Sequence, residues 1–162
     1  MQLGIWIALA VTLTAFLAGL FFLRSRERPS KASLPETIRL EDLESLIRQI
    51  LQNQSPDAFA GITSNGIDTL YFVPKGRNIY IEYEAMTEAQ KPYLDKLKRF
   101  AKSQGLPYKQ TTYGNKPEYD AKEAPVLQIT VNGAPAHAAG TARRIMEEVF
   151  GRTPGTVFEV VP

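Results

Sequence analysis

The stretch TLYFVPKGRNIYIEY, residues 69–83, decides what kind of fold this chain can adopt. Two runs rich in aromatic and β-branched residues, TLYFV (69–73) and NIYIEY (78–83), flank Pro74-Lys75-Gly76-Arg77. Side chains on extended backbone alternate between two faces, and residues of these types pack well on a pleated surface. The turn residues between the runs make a β-hairpin the natural reading. In the second run Ile79, Ile81 and Tyr83 share one face, while Tyr80, Glu82 and Glu84 share the other. One face is therefore expected in a core and the other partly in water, as in an antiparallel sheet.

On the N-terminal side of the hairpin, segment 40–53 reads as a helix. Leu43, Leu46, Ile47, Ile50 and Leu51 recur at helical spacing, and Glu41, Asp42 and Glu44 occupy the first turn, where the helix dipole favours acids. Residues 57–62 show no clear period and read as a short strand or an extra turn before Ser64-Asn65-Gly66. On the C-terminal side, 87–104 is a second helix. Thr87 and Gln90 have the spacing of a capping box, Gly105 is the expected stop, and Pro92 draws the start towards Lys91. Tyr93, Leu94, Leu97, Phe100 and Ala101 form its apolar stripe; Lys91, Lys98, Arg99 and Lys102 form a basic face. Such a face could meet lipid phosphates or an acidic partner, although a solvated helix face is its commoner meaning. Strands are expected at 106–113, 126–131 and 156–161, with a polar loop over 114–125. A third helix over 135–150 has Pro135 in its first turn and a stripe of Ala138, Ala142, Ile145, Met146 and Val149.

The order helix, hairpin, helix, strand, strand, helix, strand predicts an α+β domain over 37–162. It would hold about five strands, mostly antiparallel or mixed, with three helices packed on the sheet. The crossovers around 83–108 and 131–156 can bring parallel strands together, so a split β-α-β, ferredoxin-like arrangement is expected.

Ahead of this domain lies LGIWIALAVTLTAFLAGLFFL, residues 3–23, without a single charge and followed at once by RSRER. As a helix it would be roughly 31 Å long, close to the thickness of a bilayer's hydrocarbon core. A cleaved signal peptide fits poorly: no basic residue precedes the core, and Phe21-Phe22-Leu23 makes a poor cleavage site. Residues 1–23 are therefore read as an uncleaved signal anchor, and 24–36 as a basic juxtamembrane linker. Arg24, Arg26, Arg28 and Lys31 follow the span and no Lys or Arg precedes it. The basic side stays in the cytoplasm, so the N-terminus is expected outside a cell membrane and the domain in the cytoplasm. In a prokaryote this would be the inner membrane. Gly4, Ala8, Thr12, Ala15 and Gly19 form a small-residue stripe on which another helix, from a membrane partner or a second copy, could pack.

All 19 Lys/Arg and all 17 Asp/Glu lie after Leu23. Four of the basic residues and one acid fall within 24–31, which leaves 15 basic against 16 acidic residues from Ala32 onward. The domain is thus nearly neutral, and no nucleic-acid partner is expected. The basic segment suits topology and anionic headgroups better. The chain has no cysteine and one histidine, which excludes disulfides and thiolate chemistry and leaves little material for a metal site.

Candidate chemistry is sparse, and no cofactor is expected. His137 lies at the strand-to-helix junction NGAPAH (132–137), which lacks any glycine-rich phosphate loop; a neutral, locally bonded ring is its plainest reading. Glu82 and Glu84 share a strand face and would matter for acid–base chemistry only if burial shifted one of them. In the loop, Lys116, Tyr119, Asp120 and Lys122 could contact a partner or ligand, but their spacing names no chemistry. The function expected is that of a non-enzymatic, membrane-anchored interaction, accessory or assembly module. The alternative is a membrane-tethered enzyme or small-molecule sensor using the 114–125 loop and the 132–137 junction. It requires a concave surface where those segments meet Glu82 or Glu84.

Overall fold

The computed structural model describes residues 34–52, 59–112 and 124–161. The expected span over 1–23, the basic residues Arg24 to Lys31 and the loop residues Lys116, Tyr119, Asp120 and Lys122 lie outside them. Among the described residues no helix is long and apolar enough to cross a membrane.

The described residues form an α+β fold of seven strands and three helices. In chain order they are β1 (Thr37–Arg39), a 3-10 turn (Leu40–Asp42), α1 (Leu43–Gln52), β2 (Ala60–Thr63), β3 (Leu70–Lys75) and β4 (Asn78–Glu84). After these come α2 (Lys91–Ser103), β5 (Tyr108–Thr112), β6 (Pro125–Asn132), α3 (Pro135–Glu148) and β7 (Val157–Val161). The strands make one sheet in the order β1-β7-β2-β3-β4-β6-β5.

Every neighbouring pair in the sheet is antiparallel. The parallel neighbours that the crossovers around 83–108 and 131–156 allow do not occur, because β6 lies between β4 and β5, and β4, β3 and β2 lie between β6 and β7. β4 and β5 run parallel on either side of β6, and β1 and β2 run parallel on either side of β7. Each is a split strand–helix–strand unit. Two strands exceed the expected five. β1 and β2 have three and four residues, too few to show a period, and exist through pairing with β7.

The hairpin forms as expected but with a tighter turn. Pro74 and Lys75 belong to β3, opposite Ile79 and Asn78, leaving only Gly76-Arg77 to turn the chain. Gly76 has φ +62°, which the first position of a two-residue hairpin turn requires. Pro74 lacks an N–H, and among the described residues the β2 ladder reaches no further than Phe72, so no described strand loses a bond to it.

The alternation in β4 matches the expected faces. Ile79, Ile81 and Tyr83 are buried, and Tyr80, Glu82 and Glu84 are half-buried. Across the sheet the inner face continues as Ile38 opposite Phe158, Ala60 opposite Phe72, Phe72 opposite Ile81 and Ile81 opposite Ile129. All three helices bury their stripes in this same core, so they form one layer on one side of the sheet. α1 presents Leu43, Leu46, Ile47 and Ile50 and packs against α3; α3 presents Ala138, Ala142, Ile145 and Met146 over β4 and β6. Each large side chain buried here contributes about 1.5–3 kcal/mol.

α2 starts at Lys91 rather than Thr87, with Pro92 in its first turn, where a missing N–H costs nothing. Gln90 Oε1 accepts the Thr87 backbone N–H at 2.8 Å, one half of the expected capping box. At the other end Gly105, at φ +64°, lets the Leu106 N–H reach the Ala101 carbonyl at 2.9 Å and the Gly105 N–H reach Lys102 at 3.2 Å. This is the double bond of a Schellman cap. It swings Leu106 back against the core and sets the wall of the site described next.

Candidate functional site

α1 lies directly against α3, whereas α2 stands off from it, and a groove runs between α2 and α3. The narrower end is a cleft of about 310 Å³. Phe100, Gln104 and Leu106 form its α2 side. His137, Gly140, Thr141 and Arg144 form its α3 side, and their spacing of three, one and three places them on one helical stripe.

His137 is exposed in the first turn of α3, with Nδ1 2.9 Å from the Asn132 carbonyl oxygen. A carbonyl can only accept, so Nδ1 is the donor in this contact. Arg144 donates from Nε to Glu148 at 2.8 Å and from Nη1 to Gln104 at 2.5 Å, and its guanidinium lies 5.6 Å from the Phe100 ring centroid. Its Nη2 has no partner among the described residues. Thr141 is only 7% exposed, and its hydroxyl also lacks a partner among the described residues. No fully enclosed side-chain polar atom among those residues is unsatisfied, so the surface that Thr141 shows to the cleft includes this hydroxyl.

The wider end of the groove, about 440 Å³, is lined by Lys96, Arg99, Phe100 and Ser103 of α2 with Glu148 and Val149. α2 carries five basic residues against one acid. Lys91 pairs with Glu88 and Lys98 with Asp95, while Lys96 lies over the Tyr93 ring at 4.6 Å. Lys96, Arg99 and Lys102 have no carboxylate partner among the described residues. Sequence reading included Lys91, Lys98, Arg99 and Lys102 in this face but missed Lys96, whose position became clear only once the groove placed it on the rim.

Glu82 and Glu84 lie on the opposite face of the sheet from the helices. Glu82 accepts a hydrogen bond from Gln128 Nε2 at 2.6 Å, and Glu84 is pushed above the usual carboxylate range, first by burial and then by the charge of Glu82. The sheet separates them from the cleft at the 132–137 junction. No group of three or more His, Asp or Glu able to hold a metal occurs among the described residues.

A second polar constellation, missed in the sequence, closes one end of the sheet. Asp68 is 0% exposed. Its Oδ1 accepts from Thr63 Oγ1 at 3.1 Å, Ser64 N at 2.8 Å and Asn65 N at 3.3 Å; its Oδ2 accepts from Ser64 Oγ and Arg152 Nε, both at 2.6 Å. Burial would raise this carboxyl, but the hydrogen bonds from Ser64 and the Arg152 charge outweigh it and hold it below its ordinary value. Beside it the Tyr83 hydroxyl lies 3.0 Å from the Ile67 carbonyl and 3.1 Å from that of Gln90, and Gln90 Nε2 donates to Gly66 at 2.9 Å. Asp68 is enclosed and each of its oxygens is satisfied, so this network acts as a structural clasp. The run Thr63-Ser64-Asn65-Gly66 signals a turn; nothing local points to Arg152, 84 residues away.

The chain matches no protein-family model, and no curated protein or solved structure is significantly similar to it.

Proposed function

We propose that this chain is a single-pass, membrane-anchored, non-enzymatic interaction subunit whose α+β domain docks an acidic surface of another protein in a membrane complex. The observation that carries this reading is the wide end of the α2–α3 groove. There Phe100 and Val149 lie below Lys96 and Arg99, two cations without a carboxylate partner among the described residues. An apolar floor with an unpaired basic rim suits a partner segment that is apolar on one side and acidic along its edge. The charge pattern around 3–23 supports an outside N-terminus and a cytoplasmic domain. The split strand–helix–strand units support a ferredoxin-like ancestry for β4-α2-β5-β6-α3-β7, with the β2–β3 hairpin wedged between β7 and β4.

Affinity purification of the full chain from detergent-solubilised membranes tests the docking. One stoichiometric partner should be recovered, and Lys96→Glu with Arg99→Glu should reduce its recovery at least about tenfold at low salt. Recovery of the chain alone, or of a partner indifferent to charge reversal, would refute it. A reporter fused after Pro162 should be active only in the cytoplasm.

A further inference from the structure

We propose that the narrow end of the groove is a binding site for a small amphipathic carboxylate, a use of the domain separate from partner docking at the wide end. One feature of the lining points to a ligand and a second makes the site easy to block. The first is Thr141, whose hydroxyl is unpartnered among the described residues although the residue is 93% buried, its 7% exposure lying at the cleft. This hydroxyl opens onto the cleft with no protein partner of its own among the described residues, so it is free to hydrogen-bond a group seated there. The second is Gly140. Glycine inside a helix costs about 1 kcal/mol relative to alanine, and a Cβ built at Gly140 would meet nothing within 4 Å. No packing contact calls for glycine here. Gly140 is exposed on the α3 side of the cleft, so a side chain larger than a methyl group placed there would enter the space it lines.

The chemistry of the lining narrows the ligand. Thr141 and Arg144 are one helical turn apart, so the free hydroxyl and the free Nη2 can each meet one oxygen of a single carboxylate. Glu148 holds Arg144 at Nε and Gln104 holds it at Nη1, which fixes the guanidinium plane and leaves one edge for the ligand. The Phe100 ring and Leu106 offer the apolar wall that a short hydrocarbon or aryl tail would cover. A dianionic phosphate would find one cation here, already shared with Glu148, so a monoanion fits better. At about 310 Å³ the cleft stands at the small end of ligand sites.

The test uses the full chain in nanodiscs of zwitterionic lipid, with empty nanodiscs as blank and ligand-observed NMR as readout. The probes are 3-phenylpropanoate and its neutral and cationic counterparts, 3-phenylpropan-1-ol and 3-phenylpropylamine. For a probe of this size the carboxylate should bind with Kd on the order of 1 mM, and the alcohol and amine at least about tenfold more weakly. Thr141→Val should weaken the carboxylate about fivefold and Arg144→Gln about tenfold. Gly140→Leu should abolish binding while raising the thermal midpoint, which separates a filled cleft from a damaged fold. Equal binding of acid and alcohol, binding that survives Gly140→Leu in the folded protein, or no binding of the acid up to about 20 mM would each overturn the proposal. Loss of partner recovery on Lys96 and Arg99 reversal is read separately, so either reading can fail without the other.

Discussion

Arg152→Met would leave the Asp68 carboxylate enclosed without a countercharge. Asp68 is fully buried, and the Arg152 side chain is 25% exposed, so water reaches the pair from one side only. Breaking a buried pair by removing one partner costs about 3–5 kcal/mol, and partial access of solvent places the cost here near the lower bound, about 3 kcal/mol. For a domain of about 125 residues that corresponds to a drop of about 10 °C in thermal midpoint. Asp68→Asn removes the charge but keeps the shape. Its amide nitrogen, in the place of Oδ2, would face the Arg152 N–H donor to donor, for a loss of about 2 kcal/mol. Combined, the two substitutions should cost about 3 kcal/mol rather than about 5, because each removes the reason the other is harmful. Thermal and urea unfolding of the full chain in detergent, followed by circular dichroism, measures the cycle. Additive losses would refute the idea that this clasp is held by charge. The acid response follows from the same lowering. A depressed carboxyl contributes its full stability above its ordinary value of 3.8 and loses it as pH falls through the lower folded value. The stability gap between the wild-type chain and Asp68→Asn should be flat from about pH 5 to 7 and close in stronger acid.

Other substitutions probe the sheet and the clasp. Gly61→Ala should destabilise by about 1–3 kcal/mol in urea unfolding, since its Cβ would stand 2.7 Å from the Tyr71 ring and 2.8 Å from Val161. Tyr83→Phe should cost about 1–2 kcal/mol, because carbonyls of Ile67 and Gln90 lose a shared donor. Gly140→Ala should raise stability by about 1 kcal/mol, read as a higher urea midpoint; a loss would mean that the position has a packing role after all.

Much of the helix layer was legible because helical amphipathicity is a local property. The stripe Leu43, Leu46, Ile47, Ile50 needs no partner to be seen, and all four residues are buried. The same holds for β4, where alternation alone separates Ile81 from Glu82. β1 was not legible, and β2 only as one of two readings of 57–62. Ile38 becomes core only because Phe158 is its cross-strand partner, and Gly61 is central only because Tyr71 and Val161 close over it. Of the candidate ligand surface, His137 alone falls among the described residues, and it stands at the rim of a cleft whose other wall comes from α2. Thr141 and Gly140 carried no signal in the sequence, because only the approach of α2 makes them line a cleft.

Sequence alone therefore determined the α+β class, the three helical stripes, the hairpin at its centre and the charge asymmetry around 3–23. Each follows from periodicity or composition within a short window, where the backbone geometry of one element dictates which side chains share a face. Tertiary structure alone decided the strand order, the tie between Asp68 and Arg152, and the gap between α2 and α3. These depend on which distant segments share register and on how far the side chains between two helices hold them apart.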